Sequence, residues 1–218
     1  GDCLEVMKTF PDKSFDLVLT DPPYGVDYEG GHFHSGDVNI KRKREKLEND
    51  TVNVYPALFK EAFRFLKDGS GGMYCFYAGS LSEYVYPPLP FTKYQMLICG
   101  KSNARYAAMM ARYKHNFEPF LWLQKPPSKW RGATTETSLW WMKANGTNDF
   151  HPTQKPIDLI QRMIINSSDE GDTILDPFMG SGTTLVAAKL LNRNATGIEI
   201  SPEYCKIAED RLRQGVLL

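Results

Sequence analysis

The carboxyl-terminal part of the chain alternates short apolar runs with amphipathic ones, and this alternation restricts the fold more than any other feature. Residues 173–175 and 195–200 read as short buried strands. A glycine turn at 180–182 leads into a predicted helix at 183–191, and a last helix is predicted at 202–212. Strand, helix and strand in this order form a βαβ unit, in which the two strands lie parallel. The pattern therefore predicts an α/β fold.

The rest of the chain supplies further elements of the same kind. Residues 15–20 form a compact apolar run, which is typical of a buried parallel strand. Residues 54–67 carry apolar side chains at helical spacing and end at Asp68-Gly69. Further strands are predicted at 73–78, 94–99 and 117–123, and a helix with proline in its first turn at 156–165. We predict a single domain over residues 1–218, with a Rossmann-like, doubly wound, mostly parallel sheet and helices on both faces.

Composition narrows the class of protein. The chain has 218 residues, of which 42% are apolar, enough for one domain with a proper core. Its 26 basic and 26 acidic residues cancel, so the local distribution of charge matters more than its sum.

The four cysteines are scattered without a Cys-x-x-Cys pair, which argues against a zinc ribbon and for reduced thiols in a cytoplasmic protein. No run reaches transmembrane length and no signal peptide is visible, so we expect no membrane partner. His32 and His34 lack further partners at ligand spacing, so no metal site is predicted.

The string Asp21-Pro22-Pro23-Tyr24 follows the strand predicted at 15–20, at the end where open α/β sheets bind their ligands. The Asp21 carboxylate can accept a hydrogen bond from one N–H of an exocyclic amine. The carbonyl of Pro22 or Pro23, whose direction proline restricts, can accept the other. Tyr24 offers an aromatic face beside which such an amine can be held flat. These four residues form the predicted catalytic site; the alternative is a rigid turn after a strand.

A glycine loop opens the helix predicted at 183–191. Gly180 and Gly182 remove side chains, so a ligand can contact the backbone, and the N–H groups at the helix start face its negatively charged group. Glu199 ends the next predicted strand, where a carboxylate can accept both hydroxyls of a ribose. The spacings of a dinucleotide fingerprint and of a triphosphate-binding loop are both missing. The loop therefore indicates another nucleotide-like cofactor; the alternative is a turn that merely connects two elements.

Taken together, the strings at 21–25 and 176–184 resemble the paired motifs of the amino-directed DNA methyltransferases, which use S-adenosylmethionine. The catalytic motif precedes the cofactor motif here, which is the permuted order of the β-type members. The resemblance runs from residue 2 to about 212 and is looser between about 30 and 150. It implies transfer of a methyl group from S-adenosylmethionine to an exocyclic amino group in DNA, with flipping of the target base.

The same resemblance implies the cofactor contacts. Asp176 is expected to face the methionine amino group, and Phe178 to pack on the ligand. Asp2 corresponds to an acidic residue that contacts the cofactor adenine, and residues 151–156 correspond to a segment that lines the methionine end. The implied cofactor site consists of Asp2, Cys3, Asp21, Thr153, Lys155, Asp176, Phe178, Gly180, Ser181, Gly182, Thr183 and Glu199.

A basic loop is the first predicted contact with DNA. Residues 26–53 are polar, charged and aperiodic, and we expect a long mobile loop. Its basic run, Lys41-Arg42-Lys43-Arg44, follows the catalytic motif and can hold phosphates without reading sequence. The alternative is a solvated run of charge.

The second predicted contact lies in residues 124–150, which occupy the target-recognition position of the family as a small insertion. Lys129, Trp130 and Arg131 interleave basic and aromatic side chains there, which suits phosphate contact and base stacking. We expect one of the adjacent tryptophans at 140 and 141 to lie in the core instead.

The resemblance also bears on the substrate. Relatives with Asp at the first position of the catalytic motif tend toward adenine and those with Ser toward cytosine, so we predict an adenine-N6 DNA methyltransferase of bacterial, archaeal or phage origin. A cytosine-N4 enzyme, an RNA methyltransferase and an inactive cofactor-binding DNA module are the alternatives. A homodimer is expected as in related enzymes, whereas the recognition site and any restriction endonuclease partner do not follow from the sequence.

His115 and Glu118 fall where relatives carry a His-Glu-Pro element, but the string here is His-Asn-Phe-Glu-Pro, so no role is assigned to them.

Overall fold

The computed structural model describes residues 1–23, 54–77, 88–101, 116–142 and 155–214. Several predictions concern residues outside these ranges: Tyr24, the loop at 26–53 with His32, His34, Lys41, Arg42, Lys43 and Arg44, His115, residues 143–150 of the target-recognition segment, and Thr153.

Within the described ranges, seven strands form one sheet. They are β1 (Leu17–Thr20), β2 (Gly72–Phe76), β3 (Lys93–Lys101), β4 (Phe117–Gln124), β5 (Leu139–Met142), β6 (Thr173–Asp176) and β7 (Asn194–Gly197). Their order across the sheet is β5-β3-β4-β2-β1-β6-β7, and β4 alone runs antiparallel to its neighbours. All six parallel strands therefore end at one edge, which we call the carboxyl edge; the opposite edge is the amino edge.

Helices cover both faces of this sheet. Those in the described residues are α1 (Cys3–Met7), α2 (Tyr55–Phe65), α3 (Ile157–Ser167), α4 (Thr183–Leu190) and α5 (Pro202–Arg213). Leu58 and Ala62 of α2 are buried in one cluster with Met73 of β2. Met163 of α3 is buried in a second cluster with Tyr74 of β2. Since consecutive residues of a strand point to opposite faces, these clusters lie on the two sides of the sheet. The predicted doubly wound, mostly parallel α/β fold is confirmed.

Most predicted elements are present, with ends shifted by a few residues. The helix predicted at 54–67 is α2, and the buried side chains follow the predicted stripe. Beyond its end, Gly69 adopts a φ of +75°, which favours glycine. The strand predicted at 195–200 is β7, but it ends at Gly197, so Glu199 lies in the following loop and not in the strand. No helix in the described part of the chain has the length and apolarity needed to cross a membrane.

Two elements differ from the sequence prediction. Residues 3–7 form the short helix α1, and residues 139–142, in the predicted target-recognition segment, form the edge strand β5, which pairs with β3. The alternation of β5 places Trp140 in the core, 1% exposed, and Trp141 at the surface, 61% exposed. The expectation that one of these two tryptophans is a core residue is confirmed. A strand of four residues is too short for its periodicity to stand out in a sequence.

Candidate active site

Asp21 stands at the carboxyl edge because it directly follows β1, whose four residues are all buried. Pro22 is buried and Pro23 half-buried, so the backbone that carries the two predicted carbonyl acceptors is anchored in the protein. Nζ of Lys155 donates a hydrogen bond to Oδ2 of Asp21 over 2.5 Å. The structure thus brings three of the four predicted catalytic residues to this edge, beside a lysine assigned to the cofactor.

Lys155 bridges two carboxylates. Its Nζ lies 2.5 Å from Oδ2 of Asp21 and 3.5 Å from Oε2 of Glu118, above the ring of Phe76 at 4.7 Å from the centroid. Burial lowers the pKa of Lys155, but Asp21 and Glu118 outweigh burial and raise this pKa above its ordinary value. Lys155 is therefore an ammonium ion at neutral pH, although its side chain is only 11% exposed.

Glu118 reaches the same place from the antiparallel strand β4. It lies opposite Cys99 of β3 in the sheet, close to the carboxyl edge. Its Oε1 accepts a hydrogen bond from Nζ of Lys101, the last residue of β3. Burial alone would raise the pKa of Glu118, yet Lys155 and Lys101 together hold this pKa below its ordinary value. A carboxylate without an assigned role thus joins the site.

The glycine loop lies between β6 and α4. Gly182 precedes α4 with a φ of +81°, and a Cβ atom there would lie only 2.7 Å from Cβ of Ala208 in α5. Glycine is therefore required at this position by backbone conformation and by space. Gly180, with a φ of +50°, donates its backbone N–H to Oε2 of Glu199 over 3.0 Å. The predicted loop is present, and Glu199 supports it directly.

Glu199 has a structural role that sequence reasoning did not foresee. Oε1 accepts from the N–H of Ser201 over 2.9 Å, while Oε2 accepts from Gly180. Each carboxylate oxygen can accept more than one hydrogen bond, so acceptor capacity for ribose hydroxyls remains. An open groove of about 580 Å³ borders this side chain and is lined also by Ile200 and Pro202.

Asp176 ends β6 and is buried. Its Oδ2 accepts from Oγ1 of Thr184 over 2.6 Å, and its Oδ1 from the N–H of Phe178 over 3.1 Å. Burial and, to a smaller extent, the charges of Asp21 and Glu199 raise the pKa of Asp176 to about 7, although both hydrogen bonds oppose this shift. The charges of Asp21 and Glu199 thus both reach Asp176 at the carboxyl edge, and this concentration of carboxyl groups favours a cationic ligand.

Asp2 and Cys3 belong to a segment that is attached to the loop after β7, which carries Glu199. Oδ1 of Asp2 accepts from the backbone N–H of Leu4 (2.9 Å) and Glu5 (3.1 Å), and this cap starts α1. The backbone nitrogen of Gly1 donates to the carbonyl of Glu199 over 2.7 Å, which fastens the segment to the loop after β7. Burial is the main reason that the pKa of Cys3 is raised to about 12, so its thiol is neutral.

Arg211 was missed by sequence reasoning. Its NH1 donates to the carbonyl (2.6 Å) and Oγ (3.1 Å) of Ser181 and to Oγ1 of Thr183 (3.3 Å). It thereby holds the glycine loop from α5, while Phe178 packs against the core on the face of α1 and α2. The only sequence signal was a basic residue in the last turn of a predicted helix, which is also typical of an exposed side chain.

Lys129, Trp130 and Arg131 do not join these residues. The segment from β4 to β5 runs along the amino edge, opposite Asp21, since β4 ends and β5 begins there. Lys129 and Arg131 both pair with Asp169, at 3.6 and 2.8 Å. Trp130 packs on Trp122, with 5.1 Å between ring centroids. Their predicted contact with DNA stays a prediction.

Fold and site together place the chain among the α/β proteins that bind a ligand at the carboxyl edge of a doubly wound sheet. A family model described as DNA methylase, of the N6/N4 methyltransferase group, matches residues 15–210. The chain belongs to this family of DNA methylases. The resemblance inferred from the two motifs is confirmed.

Curated relatives cover nearly the whole chain. The Type II methyltransferase M.HinfI of Haemophilus influenzae is 31% identical over 246 residues, covering 98% of this chain and 67% of the relative. The Type II methyltransferase M.HpaI of Haemophilus parainfluenzae is 31% identical over 238 residues, covering 97% and 72%.

Solved structures share the fold. The M1.HpyAVI–SAM complex superposes with a TM-score of 0.70 at 28% identity, covering 97% of this chain and 96% of that one. The PvuII DNA methyltransferase, described as cytosine-N4-specific, gives a TM-score of 0.75 over 97% of this chain and 84% of its own; at 20% identity it shows the fold alone.

Proposed function

We propose that this chain transfers a methyl group from S-adenosylmethionine to the exocyclic 6-amino group of adenine in DNA. The observation that carries the proposal is the carboxyl edge itself. Asp21 follows one strand there, and the glycine loop, Asp176 and Glu199 gather around two neighbouring strands of the same sheet. An amine acceptor and a cofactor loop thus meet in a member of the DNA methylases.

The residues at this edge fit the cofactor. S-adenosylmethionine carries a sulfonium and an ammonium group, and the charges of Asp21 and Glu199 both reach Asp176 where it would lie. Asp176 would hold the ammonium group, Glu199 the ribose hydroxyls and Asp2 the adenine. The M1.HpyAVI structure, which shares this fold, was solved with the same cofactor.

When bound, S-adenosylmethionine would supply an electrophilic methyl group, which the target amine would take up by forming a C–N bond as the C–S bond breaks and S-adenosylhomocysteine leaves. The amine is a poor nucleophile because its lone pair is delocalised into the base. Asp21 accepts one of its N–H groups and the carbonyl of Pro22 or Pro23 the other, which returns electron density to nitrogen and stabilises the positive charge that forms there. The extra proton leaves after the C–N bond has formed, so no strong general base is needed. Tyr24 is proposed to stack on the flipped base.

Adenine is preferred over cytosine because Asp21 occupies the first position of the catalytic motif. Cytosine-N4 is the second candidate, since a structural neighbour carries that specificity in its description. Labelled methyl transfer to duplex DNA, single-stranded DNA and RNA, followed by nucleoside digestion, tests the proposal. We expect label in N6-methyl-2′-deoxyadenosine from DNA. Label in N4-methyl-2′-deoxycytidine, or in RNA alone, would replace the proposed substrate.

A further inference from the structure

Four side chains of alternating charge follow one another at the carboxyl edge: Lys101, Glu118, Lys155 and Asp21. Glu118 accepts a hydrogen bond from Lys101 and lies 3.5 Å from Lys155, which donates to Asp21 over 2.5 Å. Their side chains are between 11% and 28% exposed. Water therefore screens these charges less than it would at an open surface.

The contact between Lys155 and Asp21 conflicts with the proposed chemistry. Asp21 has to stabilise a positive charge that grows on the target amine. Lys155 already places a full positive charge on the same carboxylate. An isolated pair of one lysine and one carboxylate would attract a cationic amine only weakly, because the two fields nearly cancel.

We propose that Glu118 is a positioning residue for methyl transfer, which shares Lys155 with Asp21 and so keeps the Asp21 carboxylate oriented toward the target amine and keeps the lysine from offsetting its field there. The inference rests on the proposed function of Asp21. With Glu118, two lysines and two carboxylates balance, and the row presents its negative end to the substrate. Without it, two lysines face one carboxylate, and the net charge of +1 opposes the charge that forms on the amine.

The placement of Glu118 suits this role. Its backbone belongs to β4 and is paired with β3, so the sheet sets its position more rigidly than a loop would. Lys101 holds one carboxylate oxygen and leaves the other directed at Lys155. The two lysines keep the pKa of Glu118 low in spite of burial, so the group carries its charge at neutral pH.

The test compares Glu118→Gln with Glu118→Asp and Glu61→Gln. Gln keeps the size of the side chain and removes the charge, whereas Asp keeps the charge. Glu61 offers a matched control, because it is also a partly buried carboxylate, 20% exposed, that pairs with a basic residue, Arg64, over 2.7 Å. This pair lies away from the carboxyl edge: Arg64 also donates to the carbonyls of Met7 and Phe10, which precede β1 on the amino-edge side. We expect Glu118→Gln to lower kcat by roughly tenfold to a hundredfold, with the dissociation constant for S-adenosylmethionine and the KM for DNA changed less than about threefold. Glu118→Asp should recover much of the rate, and Glu61→Gln should leave kcat unchanged.

Thermal unfolding of each variant accompanies the kinetics. If Glu118→Gln does not fold, Glu118→Asp decides: normal binding with a kcat between those of the wild type and Asp21→Ala supports the proposal. A wild-type kcat in Glu118→Gln, a loss confined to binding, or an equal loss of kcat in Glu61→Gln would overturn it. Asp21→Ala is assayed alongside. If Asp21→Ala is inactive while Glu118→Gln is fully active, only the role of Glu118 is refuted, and the proposed function of Asp21 is retained. An active Asp21→Ala would refute the proposed function as well.

Discussion

Asp176 combines a buried position with a proposed cationic partner, and its titration should therefore control cofactor binding. Its pKa is raised from 3.8 to about 7, mainly by burial. Between these two values the folded chain holds a proton that the unfolded chain has released. The contribution of Asp176 to stability therefore falls as pH rises through this window, while the carboxylate that attracts a cation forms.

We expect the affinity for S-adenosylmethionine to rise with pH up to about 7, by at most about tenfold per pH unit, and to level off above it. Calorimetry across this range measures the profile. The hydroxyl of Thr184 lowers the pKa of Asp176, so Thr184→Val should move the profile to higher pH. An affinity that is constant from pH 5.5 to 8 would show that Asp176 does not bind the ammonium group.

Glu199 is expected to serve the cofactor twice, through ribose hydroxyls and through the backbone of the glycine loop. Glu199→Ala should weaken cofactor binding by about 1–3 kcal/mol, because the ribose acceptors and the support for Gly180 and Ser201 are lost together. Glu199→Gln should lose less, since one acceptor oxygen remains. Calorimetry checks this, with the exposed Glu203→Ala as control. An unchanged affinity in Glu199→Ala would contradict the ribose assignment.

At the scale of elements, the glycine loop is held by helix α5, which is separated from it in the sequence by α4 and β7. Arg211 of α5 donates to Ser181 and Thr183, and Ala208 of the same helix abuts Gly182. Helix α5 is thus part of the site although it offers no predicted ligand contact.

Arg211→Met should lower the free energy of unfolding by about 2–3 kcal/mol, because it leaves several acceptors near the loop without their charged donor. It should also weaken cofactor binding, since the loop loses its anchor. Arg213→Met is the matched control: this arginine is 74% exposed and pairs with Glu209 and Asp210 of the same helix. Denaturant unfolding of both variants measures the difference. Equal stability of Arg211→Met and the wild type would refute the anchoring role.

At the scale of the whole molecule, a chain of zero net charge binds DNA through locally gathered positive charge. Lys41, Arg42, Lys43 and Arg44 form the densest basic group in the sequence and follow the catalytic motif closely. Lys129, by contrast, lies at the amino edge near Asp169.

Replacing all four residues of 41–44 by Ala should weaken binding to every DNA sequence alike. It should flatten the salt dependence by about one unit of slope per lost phosphate contact. Binding isotherms at several salt concentrations measure this, and cofactor affinity should not change. Lys129→Ala serves as the comparison. A weaker salt dependence of DNA binding in this variant would indicate that bound DNA also contacts the amino edge. An unchanged slope with an altered methylated sequence in the first variant would mean that the loop reads bases.

The sequence predicted those parts of the fold that depend on neighbouring residues. The βαβ unit, the stripe of α2 and the position of Asp21 after β1 all follow from apolar periodicity within short windows, and the glycine turn follows from backbone conformation. Helix α1 and strand β5 could not be predicted in this way, because a helix of five residues and a strand of four residues show too little periodicity.

Only the tertiary structure decided how distant segments share the site. Asp21 and Lys155 are 134 positions apart, and Arg211 lies 30 positions beyond Ser181. Glu118 reaches them because β4 runs antiparallel between β3 and β2, which brings its first residues to the carboxyl edge. Lys129 and Arg131 lie at the other edge for the same reason. Strand order arises from packing between elements and not from the pattern within any of them, so the sequence determined the parts and the sheet determined which charges meet.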